Sequence, residues 1–170
     1  APPGCNAEHF IAPAAEAADI AALPHPRLCF FGGIDERLDI GLLAGLARRR
    51  PDWTLVLLGV VRTDVSPLRD LPNVVFISQR PYSVLPAYLQ HMDALLLPYV
   101  ITEYTRRIYP AKVVECLATG KPVVAAALPD LLPLRDLVQI VEPGDDVARA
   151  IDDALHTHTP AAARRRQEMA

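Results

Sequence analysis

From Arg27 onward, the apolar positions fall into short unbroken runs separated by longer stretches with helical spacing. The runs are LCFF (28–31), TLVLLG (54–59), VVFI (74–77), ALLLP (94–98), PVVAAA (122–127) and LVQIV (137–141). They are near-continuously apolar rather than alternating, which predicts strands covered on both faces, as in a parallel sheet. The intervening stretches predict helices. Over 38–49, Leu42, Leu43, Leu46 and Ala47 share one face, the last turn runs into Arg48–Arg50, and Pro51 ends the pattern. A shorter helix is predicted over 83–91, carrying Leu85, Tyr88 and Leu89. A third is predicted over 110–119, with Pro110 in its first turn and Gly120 just beyond its end. A fourth, over 144–155, repeats Val147, Ile151 and Leu155 every fourth residue.

Strand–helix alternation of this kind predicts a doubly wound, Rossmann-like α/β domain, a six-stranded parallel sheet ordered 3-2-1-4-5-6, over residues 27–155. Residues 1–26, rich in Ala and Pro, predict a lead-in rather than a core element, and 156–170 a polar tail with little to pack on. Ligands of such sheets bind beyond the carboxyl ends of the strands. The segments to search are therefore 32–37, 59–66, 78–83, 99–109 and 128–133.

Composition narrows the choice. At 170 residues, 51% apolar and 22% charged with a formal net charge of −3, the chain suits one domain with a full core and is not disordered. No apolar run approaches the ~18 residues a membrane crossing needs, and APPGCNAEHF has no signal-peptide character. A pI near 5.9 gives no reason to expect nucleic acid. Cys5, Cys29 and Cys116 have no metal or disulfide spacing and read as reduced thiols in a cytoplasmic setting. Of 17 basic side chains only Lys112 and Lys121 are lysines, which draws attention to that stretch.

No GxGxxG follows a strand, Gly120-Lys121-Pro122 lacks the P-loop's other residues, and the first and third strands end without a phospho-acceptor aspartate. The densest polar group lies in TEYTRRIYPAKVVECLATGKPVV, 102–124. A helix opening at Pro110 directs free N–H groups and its dipole toward an anion, and Lys112 in that first turn adds a point charge. Glu115, three residues on, shares the face and can accept from both hydroxyls of a ribose. The spacing alone serves a solvated surface Lys–Glu pair equally well. In 31–37, Gly32 and Gly33 permit close backbone approach and Arg37 has the fork to clamp a diphosphate, though an ordinary tight turn has the same residues. A backbone amide at Arg80–Tyr82, or the Tyr82 ring, is placed to border a base; Tyr82 serves as well as a half-buried surface ring. His156 and His158, Asp145–Asp146 and Asp152–Asp153 read as surface groups, and no metal is expected.

With these residues in place, the chain resembles the donor half of GT-B glycosyltransferases, of the glycosyltransferase group 1 type. The resemblance rests on Gly32-Gly33-Ile34-x-Glu36-Arg37-Leu38-Asp39, on Arg50-Pro51-Asp52-Trp53, and on Leu71-Pro72-Asn73-Val74. It continues through Arg80-Pro81-Tyr82 and Leu85-Pro86-x-Tyr88-Leu89. Its most specific part is Pro110-x-Lys112-x-x-Glu115-x-Leu117-Ala118-x-Gly120-Lys121-Pro122-Val123-Val124. It covers about residues 27–142, and Pro3-Gly4-x-Asn6-x-x-x-Phe10 looks like a degraded interdomain hinge.

The resemblance implies a UDP-, GDP- or dTDP-sugar donor, with Lys112 on its phosphate and Glu115 on its ribose. Gly33 and its neighbours would let the diphosphate come close, Arg80 to Tyr82 would border the base, and Glu103, Thr105 and Arg106 would line the sugar and diphosphate. It implies no separate cofactor, a partnering N-terminal GT-B domain, and a glycan or lipid-linked acceptor in polysaccharide or cell-envelope synthesis. The full-length enzyme would be cytoplasmic, with peripheral association at the inner membrane face, and this half would bind donor without turnover. Two positions depart from the family pattern. Arg107 stands where many retaining members have glutamate, and Tyr109 where serine is frequent. They favour a rival reading, a non-catalytic interaction domain that keeps the fold; half of a nucleotide-sugar epimerase is the other alternative.

Overall fold

A computed structural model describes residues 6–170; Cys5 and the Pro3-Gly4 part of the hinge-like motif lie outside the described residues. All six predicted strands form: β1 (Arg27–Phe31), β2 (Thr54–Leu58), β3 (Val74–Ile77), β4 (Ala94–Leu97), β5 (Val123–Ala126) and β6 (Gln139–Val141). They make one sheet ordered β3-β2-β1-β4-β5-β6 with every pair parallel, as the alternation predicted. The order reverses between β2-β1 and β1-β4, so the switch point falls at the carboxyl end of β1.

Strand residues point alternately to two apolar layers. Cys29 and Phe31 of β1 face a layer with Tyr88, Val113 and Leu117, whereas Leu28 and Phe30 face one with Leu43, Leu68 and Ile151. Helices α1 (Ala7–Ile11), α4 (Pro86–Leu89) and α5 (Lys112–Ala118) cover the first face. Helices α2 (Ile40–Arg49), α3 (Ser66–Arg69) and α6 (Val147–His156) cover the second.

Caps explain where the helices begin. The Asp39 carboxylate accepts from the Leu42 N–H at 3.0 Å, so α2 opens at Ile40. Asp146 accepts from Arg149 N–H at 3.2 Å and starts α6 later than the apolar period suggested. The helix predicted over 83–91 divides at Pro86 into a 3₁₀ turn, Tyr82–Val84, and α4.

The two ends of the chain differ from expectation. The lead-in is anchored in the core: Phe10 and Ile20 are fully buried. The Arg27 side chain, 1% exposed, donates to the carbonyls of Leu23, Ala21 and His91 and reaches Glu16 at 3.3 Å. A period search misses such a segment because it buries single residues and uses a charged anchor. The polar tail folds as α7 (Pro160–Met169), capped by Thr159. It packs on the end of α5, where Arg166 donates to the Gly120 and Leu137 carbonyls, each at 3.1 Å. Among the described residues no helix is long and apolar enough to cross a membrane.

Candidate functional site

Strands β1 and β2 are each followed directly by a glycine, Gly32 and Gly59, and both glycines are required. Gly32 has φ +119, and a Cβ there would collide with the Lys112 ammonium and lie 2.9 Å from its Cε. Gly59, with φ +155, lies so close that its Cβ would run into the Gly32 backbone. The two turns are therefore packed backbone on backbone, and the Lys112 amine rests on the Gly32 turn.

Lys112 is the first residue of α5, so its side chain runs back over the carboxyl end of β1. Its Nζ sits 5.5 Å from the Phe30 ring centroid and 5.4 Å from that of Phe31. Among the described residues it makes no hydrogen bond or ion pair. Burial pulls its pKa below the ordinary lysine value; nearby Arg37 acts in the same direction, and Glu115 and Asp35 act against it. Glu115, one turn further on, is half-buried, and burial raises its pKa while Lys112 lowers it. The pair is coupled through space without forming a contact ion pair. Because α5 opens at Lys112, Pro110 is not the first helical residue that the sequence predicted it to be. Its carbonyl accepts from Val113 N–H at 2.9 Å, a 3₁₀-type bond that tightens the approach to a helix of only seven residues. Anion attraction here rests on the Lys112 charge more than on a dipole.

Two cavities flank this centre. One, of about 180 Å³, is lined by Gly32, Gly33, Gly59, Val60, Arg62 and Arg80. The other, of about 210 Å³, is lined by Arg37, Tyr99, Thr105, Tyr109, Lys112 and Leu128. Each is smaller than the ~300 Å³ at which small-molecule sites begin, and together they exceed it. A larger cavity, about 340 Å³, lies beyond Tyr99 between α2 and α6. Its charged lining residues are Asp39, Glu142 and Asp145, so it repels a diphosphate.

The remaining predicted residues have more divided roles. Arg37 lines the second cavity, but its fork is engaged: Nε and Nη2 donate to Asp35 at 2.9 and 2.7 Å. These bonds hold the Asp35 carboxyl below the usual range. Thr105 also lines this cavity, with its hydroxyl donated to the Val100 carbonyl at 2.6 Å. Arg80 lines the first cavity, yet its guanidinium is bound to Ser78, Tyr88 and Asp19. The Tyr82 ring turns away to α1, stacked on His9 at 4.9 Å and edge-on to Phe10 at 5.3 Å. Glu103 and Arg106 are exposed on the loop after β4, and among the described residues their side chains bond to nothing. The structure thus gathers Gly32, Gly33, Arg37, Arg80, Thr105, Lys112 and Glu115 around one edge, and leaves Tyr82, Glu103 and Arg106 outside it. Sequence reasoning missed Gly59, Asp35 and Asp19. Gly59 had a signal, since it ends the second strand as Gly32 ends the first; Asp19 had none.

Sheet order defines a doubly wound α/β domain, and the candidate site lies at its switch point. Residues 25–157 match the family model described as Glycosyl transferases group 1, and the chain belongs to that family. It is 38% identical over 106 residues to a Bacillus subtilis protein named as a teichuronic acid biosynthesis glycosyltransferase, TuaH. That match takes in 60% of this chain and 27% of the relative, so the chain spans about a quarter of the curated relative's length. Among solved structures it resembles sucrose-phosphate synthase from Thermosynechococcus elongatus. There the TM-score is 0.71 at 24% identity, over 97% of this chain and 44% of the other. It also resembles Anabaena HepE, solved in complex with UDP-glucose, with a TM-score of 0.63 at 18% identity over 85% of this chain and 43% of that one. These structures share the fold.

Proposed function

We propose that this chain is the donor-binding half of a glycosyltransferase and that the donor is a nucleoside diphosphate sugar. The observation that carries the proposal is the Lys112 ammonium, held without an ion-pair partner among the described residues, on the Gly32 turn between the two cavities. A cation placed there without a counter-ion suits a diphosphate laid across the glycines. As the sugar leaves, negative charge grows on the diphosphate, and a prepositioned ammonium stabilises it. Glu115 accepts from the ribose hydroxyls, and the loop at 78–82 borders the base.

The donor is a substrate; the proposal assigns no separate cofactor or metal. The UDP-glucose complex of HepE makes UDP the first nucleotide to test, ahead of GDP and dTDP. The likeness to TuaH supports a role in cell-envelope polysaccharide synthesis, with a glycan or lipid-linked acceptor. Because the chain spans about a quarter of that relative, acceptor binding and turnover are assigned to a partnering N-terminal domain. Association with the inner membrane face belongs to the same proposal for the whole enzyme.

Calorimetric titration of the chain with UDP, GDP and dTDP tests this. One nucleotide is expected to bind, and Lys112→Ala and Glu115→Ala each to weaken it by ~1.5–3 kcal/mol, the worth of a hydrogen bond to a charged group. Binding indifferent to both substitutions overturns the assignment.

A further inference from the structure

We infer that the segment ahead of the sheet sets the base-side wall of the nucleotide site, with Asp19 and His9 as positioning residues for the loop at 78–82. The inference rests on the donor reading above. It begins with Arg80, the one cation on that loop. Its Nη1 donates to the Ser78 carbonyl at 2.9 Å and to Ser78 Oγ at 2.6 Å. Its Nε donates to the Tyr88 hydroxyl at 2.9 Å, and its Nη2 to Asp19 at 3.0 Å. A guanidinium has five N–H donors, and four of these bonds are already made. Arg80 is therefore a brace that closes the loop on itself, and what the loop offers a ligand is its backbone and Gln79.

Asp19 completes the brace from outside the loop. One of its carboxylate oxygens accepts from both Arg80 and the Tyr88 hydroxyl, each at 3.0 Å, closing a triangle of three side chains from three segments. The second support is α1. His9 stacks on the Tyr82 ring, and its Nε2 lies 2.9 Å from the Tyr82 carbonyl oxygen. The segment carrying both residues is itself fixed. Gln90 donates to the Phe10 and Ala12 carbonyls at 2.8 and 2.7 Å and accepts from Ala14 N–H at 2.9 Å. Ala17 N–H donates to the Ala87 carbonyl at 3.0 Å. Position along 6–20 is thus transmitted to 78–82 by direct bonds, none of which involves Lys112.

This division predicts selectivity. Loosening the brace weakens ligands that carry a base and spares those that do not. The test uses the full chain and measures UDP directly and inorganic diphosphate by competition with UDP. Asp19→Ala and His9→Ala are each expected to weaken UDP about three- to tenfold, the range of a partly exposed charged hydrogen bond. Diphosphate should stay within about twofold of the parent, and Asp19→Glu should recover most of the UDP affinity. Lys112→Ala should weaken both ligands. Thermal unfolding checks that the variants are folded. UDP affinity unchanged in Asp19→Ala and His9→Ala, with Lys112→Ala still damaging, overturns this inference and leaves the donor site standing. An equal loss of UDP and diphosphate in Asp19→Ala, or no recovery in Asp19→Glu, overturns it as well. A parent chain that does not bind UDP, diphosphate that does not displace it, or a Lys112→Ala change that affects neither ligand removes the donor reading and this inference together.

Discussion

Adding one methyl group at Gly32 separates the part that Lys112 plays in binding from the part it plays in folding. Gly32 adopts φ +119, where an L-residue costs roughly 1–2 kcal/mol. The new Cβ also meets the Lys112 ammonium, with Cε at 2.9 Å. That second clash is with the end of a flexible side chain, which can swing aside at small cost. The stability loss in Gly32→Ala should therefore stay near the backbone figure. For a domain of this size ~2–4 °C of Tm accompanies each kcal/mol, so the melting point should fall by about 2–8 °C.

Binding should suffer more. With the ammonium displaced, the diphosphate loses a charged hydrogen bond worth ~1.5–3 kcal/mol, about ten- to 150-fold in Kd. Thermal unfolding and UDP calorimetry on Gly32→Ala, Lys112→Ala and the double variant give the cycle. Because the methyl group acts through Lys112, it should add little to the binding loss once the lysine is gone. Gly45→Ala is the control: it lies inside α2 with nothing within 4 Å of the new Cβ, and should stabilise by about 0.8–1 kcal/mol without touching affinity. Parent-like UDP binding in Gly32→Ala, or strictly additive losses in the double variant, would refute the reasoning.

Two further outcomes follow. On the proposed donor reading, UDP binding requires Lys112 protonated and Glu115 ionised, and burial moves their pKa values toward each other. Affinity should fall as the pH drops through the raised Glu115 value and again as it rises through the lowered Lys112 value. Calorimetry across pH should show Glu115→Gln losing part of the acid limb, and an unchanged limb would remove Glu115 from the site. Away from the site, Arg27→Ala should cost about 3–5 kcal/mol in chemical denaturation, since it removes a buried guanidinium, strands three partly buried carbonyls and uncouples Glu16; a loss under about 1 kcal/mol would mean the lead-in is not anchored by that residue.

The strands were legible because a strand covered on both faces must be apolar at successive positions, and TLVLLG or ALLLP permits little else. The site was legible where chemistry and local geometry coincide: Lys112 and Glu115 stand three apart on one short helix, and Gly32 follows a strand. Bonds between distant segments left no local mark. Asp19 and Arg80 are far apart in sequence, and nothing near either one announces their pairing. Arg37 shows the same limit in the opposite sense. Its fork was assigned to a ligand on residue type, but Asp35 two residues away already holds it. The tail read as solvated because its composition is polar, while its packing depends on two carbonyls brought together only by the fold.

These observations place the cost of the site in identifiable atoms. A half-buried lysine with a lowered pKa opposes folding while it stays charged, since the unfolded chain holds that proton more tightly, and stability rises as pH climbs through the folded value. A half-buried glutamate with a raised pKa opposes folding while ionised, and stability falls as pH climbs through its folded value. Where both are charged, both penalties apply at once. Two positive-φ glycines stand beside the lysine, at positions where any side chain would be strained. Structural need alone would replace the lysine with an apolar chain of equal length lying on Phe30 and Phe31. A ligand that brings negative charge to the ammonium and donors to the carboxylate relieves both penalties together. Hence two groups that oppose folding, and that such a ligand would relieve, stand together beside the switch point of the sheet.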